Sequence, residues 1–452
     1  MMVLRTSLRA VPRRLALALG AALLAHAGAA SAIDLVRAYQ AALSNDPAYL
    51  SAVQDAEAGK EYRKIGRANL LPNLSASYSN SKNKTDLTSP DIFGTERTTH
   101  PEYNSHSAVV QLRQPLFALD AWALYKQGNA QSDYNVAQFS ARVQEMILRV
   151  TGAYCDALYA DDQVRIATIQ RDMYLEQKQV NDHLFNKGEG TKTDMLETQA
   201  RLDLSEAQLL EAIDNQTSLR ATLSTLVGQE VTSLNELKPE FRLAPLPEGG
   251  YEALRKIALE NNPEIVAQNY AIESAKQEFN KARAGHAPRL DFVASYSKNS
   301  AQDIDTYNQD STVKAIGIQL NIPLYAGGQV SAISRQAYAG VEKSRAELQV
   351  RTDRVLLELR KQYLSMVSSA SRIAALNKAV ESGKLLVVAT EQSIKGGVRI
   401  NLDLLNARQQ LYTSERDLAQ ARYNYLVATM KMRGALGVLG PDDVRDMASY
   451  FR

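Results

Sequence analysis

The chain has 452 residues, 52 Lys and Arg against 50 Asp and Glu, and one cysteine, Cys155. That balance excludes the clustered basic excess of a nucleic-acid surface, and a single cysteine excludes an internal disulfide. There is no HExxH motif and no Cys/His cluster, so a metal enzyme has no support and no cofactor is expected.

Residues 1–32 read as a signal peptide. Arg5, Arg9, Arg13 and Arg14 form a basic start, and residues 15–25 an apolar core too short to span a bilayer. Ala30, Ser31 and Ala32 supply the small residues of a cleavage site. A membrane anchor is the competing reading. The mature chain is expected to begin at Ile33 and to work outside the cytoplasm. Losing four arginines from 52 leaves 48 basic residues against 50 acidic ones, a net charge of −2. No cysteine follows the cleavage site to carry a lipid, and no later run of about 18 apolar residues suggests a transmembrane helix.

Beyond the leader the chain repeats itself. Asn45-Asp46-Pro47 recurs as Asn261-Asn262-Pro263, and Pro72 recurs as Pro288. Ala76-Ser77-Tyr78-Ser79 recurs as Ala294-Ser295-Tyr296-Ser297, two residues later than that offset; a strand absorbs two residues without changing faces. Gln114-Pro115-Leu116-Phe117 is echoed by Ile322-Pro323-Leu324-Tyr325, and Asp194 falls on Asp403. Ordered landmarks of this kind mark an internal duplication. The expected division is a first repeat at 33–227, a linking segment at 228–262, a second repeat at 263–436 and a C-terminal segment at 437–452.

Each repeat should run helix, strand, loop, strand, long helix, turn, helix. Residues 72–79 and 107–114, with 288–297 and 313–322, alternate apolar and polar side chains as strands do. The polar stretches at 82–104 and 298–311 are expected loops. Residues 116–238 and 324–440 contain no proline, which permits very long helices. Val136, Phe139, Val143, Met146, Val150, Ala153, Ala157, Ala160, Val164 and Ala167 alternate steps of three and four, a coiled-coil seam. Leu348, Val355, Leu359, Met366, Ile373, Leu376, Val380 and Val387 give the second repeat a similar one. Gly188 and Gly190, then Gly396 and Gly397, mark where each long helix turns back. Phe117, Trp122 and Tyr125 fit either an interfacial aromatic belt or simple packing below the second strand.

Amphipathic strands of about 9–11 residues suit a transmembrane barrel, or a soluble sheet covered by helices. The helices carry their own seams, which favours the barrel. Four strands cannot close one, and an open edge in hydrocarbon leaves backbone groups unpaired. Several chains must then share it. Two would give eight strands and a filled interior; three would give twelve and room for a water-filled bore.

The duplication, residues 322–328 (IPLYAGG), 396–408 (GGVRINLDLLNAR) and 418–437 (LAQARYNYLVATMKMRGALG) resemble the TolC family of outer membrane efflux proteins, most of all its type I secretion branch. The resemblance covers nearly the whole mature chain. It implies an α+β membrane protein, a homotrimer whose four strands per chain build a twelve-stranded barrel in outer membrane lipid. Its long coiled-coil helices would form a periplasmic α-barrel that docks with an adaptor (membrane fusion) protein and an inner-membrane ABC or proton-driven transporter. The implied function is a passive exit duct for type I protein secretion or multidrug efflux. A soluble periplasmic coiled-coil scaffold is the alternative from another class.

The GEGTKT stretch at 188–193 lacks the spacing of a phosphate loop and reads as a helix–helix turn. Thr193 and Asp194 suit helix capping. The resemblance adds a second role, a periplasmic gate in which Arg399 links to Thr193 and Asp194 of a neighbouring coil. A tyrosine that relatives add to this gate is replaced by Ile394. Asp403 matches the first of two acidic entrance positions and Asn406 replaces the second, leaving one ring of carboxylates.

Overall fold

The computed structural model describes residues 32–90, 92–243, 249–302 and 309–452. The expected signal peptide, 1–32, lies outside them except for Ala32. Two helices come first among the described residues, α1 (Leu35–Asn45) and α2 (Pro47–Ala68). Strands β1 (Asn73–Lys84), β2 (Leu87–Pro90), β3 (Glu96–Thr99) and β4 (Glu102–Phe117) follow. Helix α3 (Leu119–Asn186) then turns into α4 (Lys192–Val227). The second half repeats the plan with α5 (Gly250–Asn261), α6 (Pro263–Arg283), β5 (Arg289–Gln302), β6 (Gln309–Asn321), α7 (Gln329–Lys395) and α8 (Asn401–Leu436). Helix α9 (Pro441–Ala448) closes it.

The proline-free stretches become α3, with 68 residues, and α7, with 67. At 1.5 Å per residue each is about 100 Å long. Toward the sheet α3 packs against α2 and α6; toward the turns it packs against α4 and α8, while α7 follows α6 and then α8. The recurring Asn-Asp/Asn-Pro motif explains the switch. Asp46 and Asn262 cap α2 and α6, whose first helical residues are Pro47 and Pro263. An amide of each motif, Asn45 beside the first cap and the cap Asn262 itself in the second, reaches the helix ending beneath. Asn45 Nδ2 donates to the Val227 carbonyl and Asn262 Nδ2 to the Ala435 carbonyl, each at 2.9 Å. Two short helices thus stack end to end beside each long one, and the side chains satisfy carbonyls that a helix end leaves open.

The main core lies at this waist. Met146, Ile147, Val150, Tyr154 and Leu158 of α3 meet Leu35 and Ala38 of α1, Leu223 and Val227 of α4, and Leu426, Met430 and Leu436 of α8. The segment after α4 joins the chain end here: Ile33 bridges Leu234, and Leu237 bridges Phe451. Cys155 is wholly buried, and burial pushes its thiol pKa up, so it acts as a small apolar filler. Of the expected seams, Met146, Val150, Ala157, Ala160 and Ala167 are buried, as are Leu359, Met366 and Ile373, whereas Val136 is exposed.

The four main strands form one antiparallel sheet ordered β1-β4-β5-β6. They are longer than the alternating stretches suggest. Pairing runs from Asn73 opposite Arg113 to Lys84 opposite Glu102, and β2 pairs with β3 above it, so much of the expected polar loop is strand. Cross-strand hydrogen bonds hold polar residues in a ladder as readily as apolar ones, which composition alone does not reveal. Pro115 sits inside β4 at a register shift between Pro115 and Phe117, where a missing N–H is tolerated. The repeat alignment also changes. Leu74 faces Leu112 and Leu290 faces Leu320, so Leu290, not Phe292, is the equivalent of Leu74, and Ala294 that of Tyr78. The matched Ala-Ser-Tyr-Ser letters are a two-residue slip that preserves the faces.

Directly opposed residues share a face. Leu74, Ala76 and Tyr78 lie opposite Leu112, Val110 and Ala108; Leu112 and Val110 lie opposite Ala294 and Tyr296; and Phe292 and Ala294 lie opposite Ile318 and Ile316. This apolar face is uncovered: Ile316 is 80% and Ile318 67% exposed. Among the described residues no helix is long and apolar enough to cross a membrane.

Candidate functional site

The far end of the shaft carries two hairpin turns of equal geometry. Lys187 ends α3, and Gly188 takes φ +77°; Gly396 ends α7, and Gly397 takes φ +73°. The Glu189 N–H donates to the Leu184 carbonyl (2.9 Å) and the Val398 N–H to the Ser393 carbonyl (3.0 Å), the six-to-one bond of a Schellman turn. Gly190 and Gly396 keep negative φ. A left-handed residue at Gly188 and Gly397 lets each chain reverse within a few residues.

The turns part company at the next helix start. Thr191, not Thr193, caps α4: its Oγ1 accepts the Asp194 N–H at 3.1 Å and its hydroxyl donates to Asp194 Oδ2 at 2.6 Å. Thr193 is exposed and Asp194 half-buried. At the twin position Ile400 begins α8 with no side-chain cap. Asp403 is half-buried there in the first helical turn, favourably placed against the helix dipole, and no side-chain partner holds it among the described residues. Arg399 is exposed, and no hydrogen bond or ion pair joins it to Thr193 or Asp194 within the chain. Asn406 accepts a hydrogen bond from Arg201 of α4 at 3.2 Å.

Between the two hairpins runs a polar ladder that the residue pattern did not single out. Asn181 Nδ2 donates to Thr198 Oγ1 (2.7 Å), whose hydroxyl donates to the Asp194 carbonyl (2.8 Å). Gln177 Nε2 donates to Asn401 Oδ1 (3.0 Å), and Asn401 Nδ2 to Thr198 Oγ1 (3.4 Å). Arg408 pairs with Glu391 at 2.8 Å and also reaches Gln177. One turn further in, Gln170 and Tyr174 both donate to Gln409 Oε1, at 2.9 and 3.2 Å. Beside them a void of about 30 Å³ is bordered by Gln170 and Arg408, whose Oε1 and Nε lack partners, room for one water. Gln170, Tyr174, Gln177 and Asn181 continue the spacing of the α3 seam in polar residues, the signal that could have found them. Polar seams hold two coils in register yet separate at less cost than apolar ones, because water replaces each hydrogen bond.

At the opposite end, the Trp122 and Tyr125 rings meet at a tilt, 5.4 Å between centroids, just below β4, with Lys126 over the indole. Trp122 and Phe117 are about half exposed where sheet meets shaft. No group of three or more His, Cys, Asp or Glu gathers to hold a metal among the described residues.

An open sheet with one uncovered apolar face, mounted on a shaft about 100 Å long, defines one subunit of a membrane channel with a long tunnel. The family model "Outer membrane efflux protein" matches residues 38–229 and 254–438, so both repeats. The chain is 40% identical to the alkaline protease secretion protein AprF of Pseudomonas aeruginosa, over 93% of this chain and 88% of that one. It is 34% identical to the proteases secretion protein PrtF of Dickeya chrysanthemi, over 97% and 96%. The outer membrane protein VceC of Vibrio cholerae has the same fold, with a TM-score of 0.76 at 18% identity over 89% of this chain and 96% of that one. The chain belongs to the outer membrane efflux protein family, a family of channels and not of enzymes. It is an outer membrane exit duct with its helical tunnel in the periplasm.

Proposed function

We propose that the protein is the outer membrane exit of a type I route secreting proteins of the protease class. The observation that carries this is its 40% identity, across nearly the whole chain, to a relative named for alkaline protease secretion. Three copies would close the sheet into a twelve-stranded barrel, since four strands leave two open edges. The tips of the hairpins would dock with a periplasmic adaptor and an inner-membrane transporter. The family's description as efflux proteins supports small-molecule export as a second use of the same duct. Neither use requires chemistry in the chain. The soluble scaffold is disfavoured by the family and by the uncovered apolar face.

The gate is part of this proposal. The Arg399 side chain has no hydrogen-bond or ion-pair partner among the described residues, and we assign it to Asp194 and Thr193 of the neighbouring copy, where it would hold the tip closed. Three Asp403 carboxylates would then ring the entrance. The test is secretion in a host lacking its own duct, supplied with a protease, its inner-membrane transporter and its adaptor. Protease activity in the medium that depends on this chain supports the proposal. Protease retained in the cells while the chain sits correctly in the outer membrane overturns it.

A further inference from the structure

The four main strands carry their lysines on one side only. Lys82 and Lys84 of β1, Lys298 of β5 and Lys314 of β6 all share the uncovered apolar face, and none stands on the polar one. A water-filled bore would hold an ammonium group at less cost than a wall facing lipid does. The lysines avoid the bore and keep to the end of the wall away from the shaft. On β5 the apolar run ends at Tyr296 and Lys298 follows; on β6 it ends at Ile316 and Lys314 follows; on β1 it ends at Tyr78, with Lys82 and Lys84 beyond. Tyrosines at such a border suit the edge of a hydrocarbon layer. Because the tunnel lies in the periplasm, this rim of the sheet meets the outer leaflet.

The four lysines are not alike. Glu102 lies opposite Lys84 and forms ion pairs with it and, at 3.7 Å, with Lys82. Lys298 and Lys314 are exposed, and no ion pair holds either one among the described residues. Asp310, the other acid that the four strands place on this face, pairs with neither. Register sets the two free lysines side by side. Lys314 lies opposite Tyr296 and Lys298 opposite Thr312, which makes them diagonal neighbours with backbones about 7–8 Å apart. Their flexible stems let both ammonium groups meet one anion between them.

We propose that Lys298 and Lys314 form a clamp for the phosphate of an outer-leaflet glycolipid, whose acyl chains run toward the shaft over Ile316 and Ile318. This rests on the barrel reading above and adds a lipid site to the barrel's outer wall. The occupant must join two chemistries. The lysines call for an anion, while the apolar face beneath them, continuous through Ile316 and Ile318, calls for hydrocarbon. Free phosphate satisfies only the first and a neutral lipid only the second; a phosphorylated lipid satisfies both, as basic clusters at the edge of a membrane do for anionic headgroups. Lys82 and Lys84 stand on the same rim, but Glu102 already answers their charge. The site therefore belongs to the second hairpin and is absent from the first.

The test titrates the full-length protein in detergent with lipid A, a phosphorylated glycolipid, and counts the lipids retained by native mass spectrometry. A basic side chain beside an anionic headgroup is worth about fivefold in affinity, so Lys298→Gln with Lys314→Gln should weaken retention about thirtyfold. Lys298→Arg with Lys314→Arg should restore it. Lys82→Gln with Lys84→Gln should change it by less than about twofold, as exposed pairs already answered by an acid do. Equal loss in the two glutamine variants, or none in the first, overturns the clamp. The same lipid stripped of its phosphates should bind wild type as weakly as intact lipid binds the first variant; equal binding overturns the phosphate assignment. Displacement of lipid A by inorganic phosphate would make the free anion the ligand and overturn the lipid. A separate measurement guards the barrel reading. In outer membranes Ile318→Cys should be shielded from a water-soluble thiol reagent and Gln319→Cys, on the polar face, should react. The reverse pattern overturns the lipid-facing wall itself, whatever the lysines bind.

Discussion

The two hairpin turns at the tip share a backbone and differ in what their side chains are free to do. The first spends its polar groups on itself: Thr191 caps α4 and holds Asp194. The second has no side-chain cap, because the Ile400 side chain has no polar atom to offer, and it leaves the Arg399 and Asp403 side chains without partners among the described residues. Duplication preserved the glycine geometry while the chemistry diverged. An uncapped helix start costs stability, and a half-buried carboxylate with no hydrogen-bond partner recovers only its attraction to the helix dipole. The second turn is therefore the one on which function should depend, and the first the one on which folding should depend.

The largest effect expected is at Asp403. Three carboxylates converging on one entrance should bind a multivalent cation, each attraction being worth about 1 kcal/mol or more in water. Asp403→Ala should weaken block by such ions from the tip side by about a hundredfold, measured as single-channel current in planar bilayers. Asp194→Ala should leave block intact. Equal loss in both variants would erase the distinction between the turns.

Arg399 comes next. An exposed ion pair is worth about 0.5 kcal/mol, so three copies of the proposed link acting together would bias the gate by roughly 1.5 kcal/mol, close to tenfold in open probability. Arg399→Ser should raise conductance accordingly and leave thermal stability unchanged. Wild-type conductance in this variant would remove Arg399 from the gate.

The first turn should answer in stability instead. Thr191→Ala removes an N-cap, a loss of about 1 kcal/mol, and frees Asp194 from its intrachain bond. Hydrogen exchange at the start of α4 should accelerate about fivefold, while exchange at the start of α8 stays as it was. A change at α8 alone would reverse the assignment of the two turns.

What the residues disclosed and what they hid follow from how local each signal is. Long helices were legible because proline is forbidden along them, and the reversals because Gly188 and Gly397 alone serve a left-handed turn. The end-to-end stacking of α2 on α4 was present in the Asn45-Asp46-Pro47 repeat but unreadable, since its partner carbonyl at Val227 is distant in sequence. The cap fell on Thr191 instead of Thr193 because two threonines a residue apart both fit the pattern and only backbone geometry chooses between them. The polar ladder through Gln177, Thr198 and Asn401 hid for a similar reason. Periodicity ranks residues by hydrophobicity, and a seam made of amides looks like an interruption.

The smallest expected effect tests the comparison most directly, by giving the second turn what the first possesses. Ile400→Thr places a hydroxyl at the start of α8, where the Asp403 N–H now lies 3.1 Å (N···O) from the Ile400 carbonyl. A threonine cap should stabilise the helix start by about 0.5–1 kcal/mol, slowing exchange there about twofold to fivefold. It should also hold the Asp403 carboxylate as Thr191 holds Asp194. The same substitution that stabilises should therefore weaken cation block, though less than Asp403→Ala does. Stabilisation with block unchanged would mean that Asp403 reaches the entrance whether or not the turn is capped. Weaker block without stabilisation would mean that the hydroxyl engages the carboxylate alone. Only the joint result shows that the second turn keeps an imperfect helix start because its carboxylate is needed elsewhere.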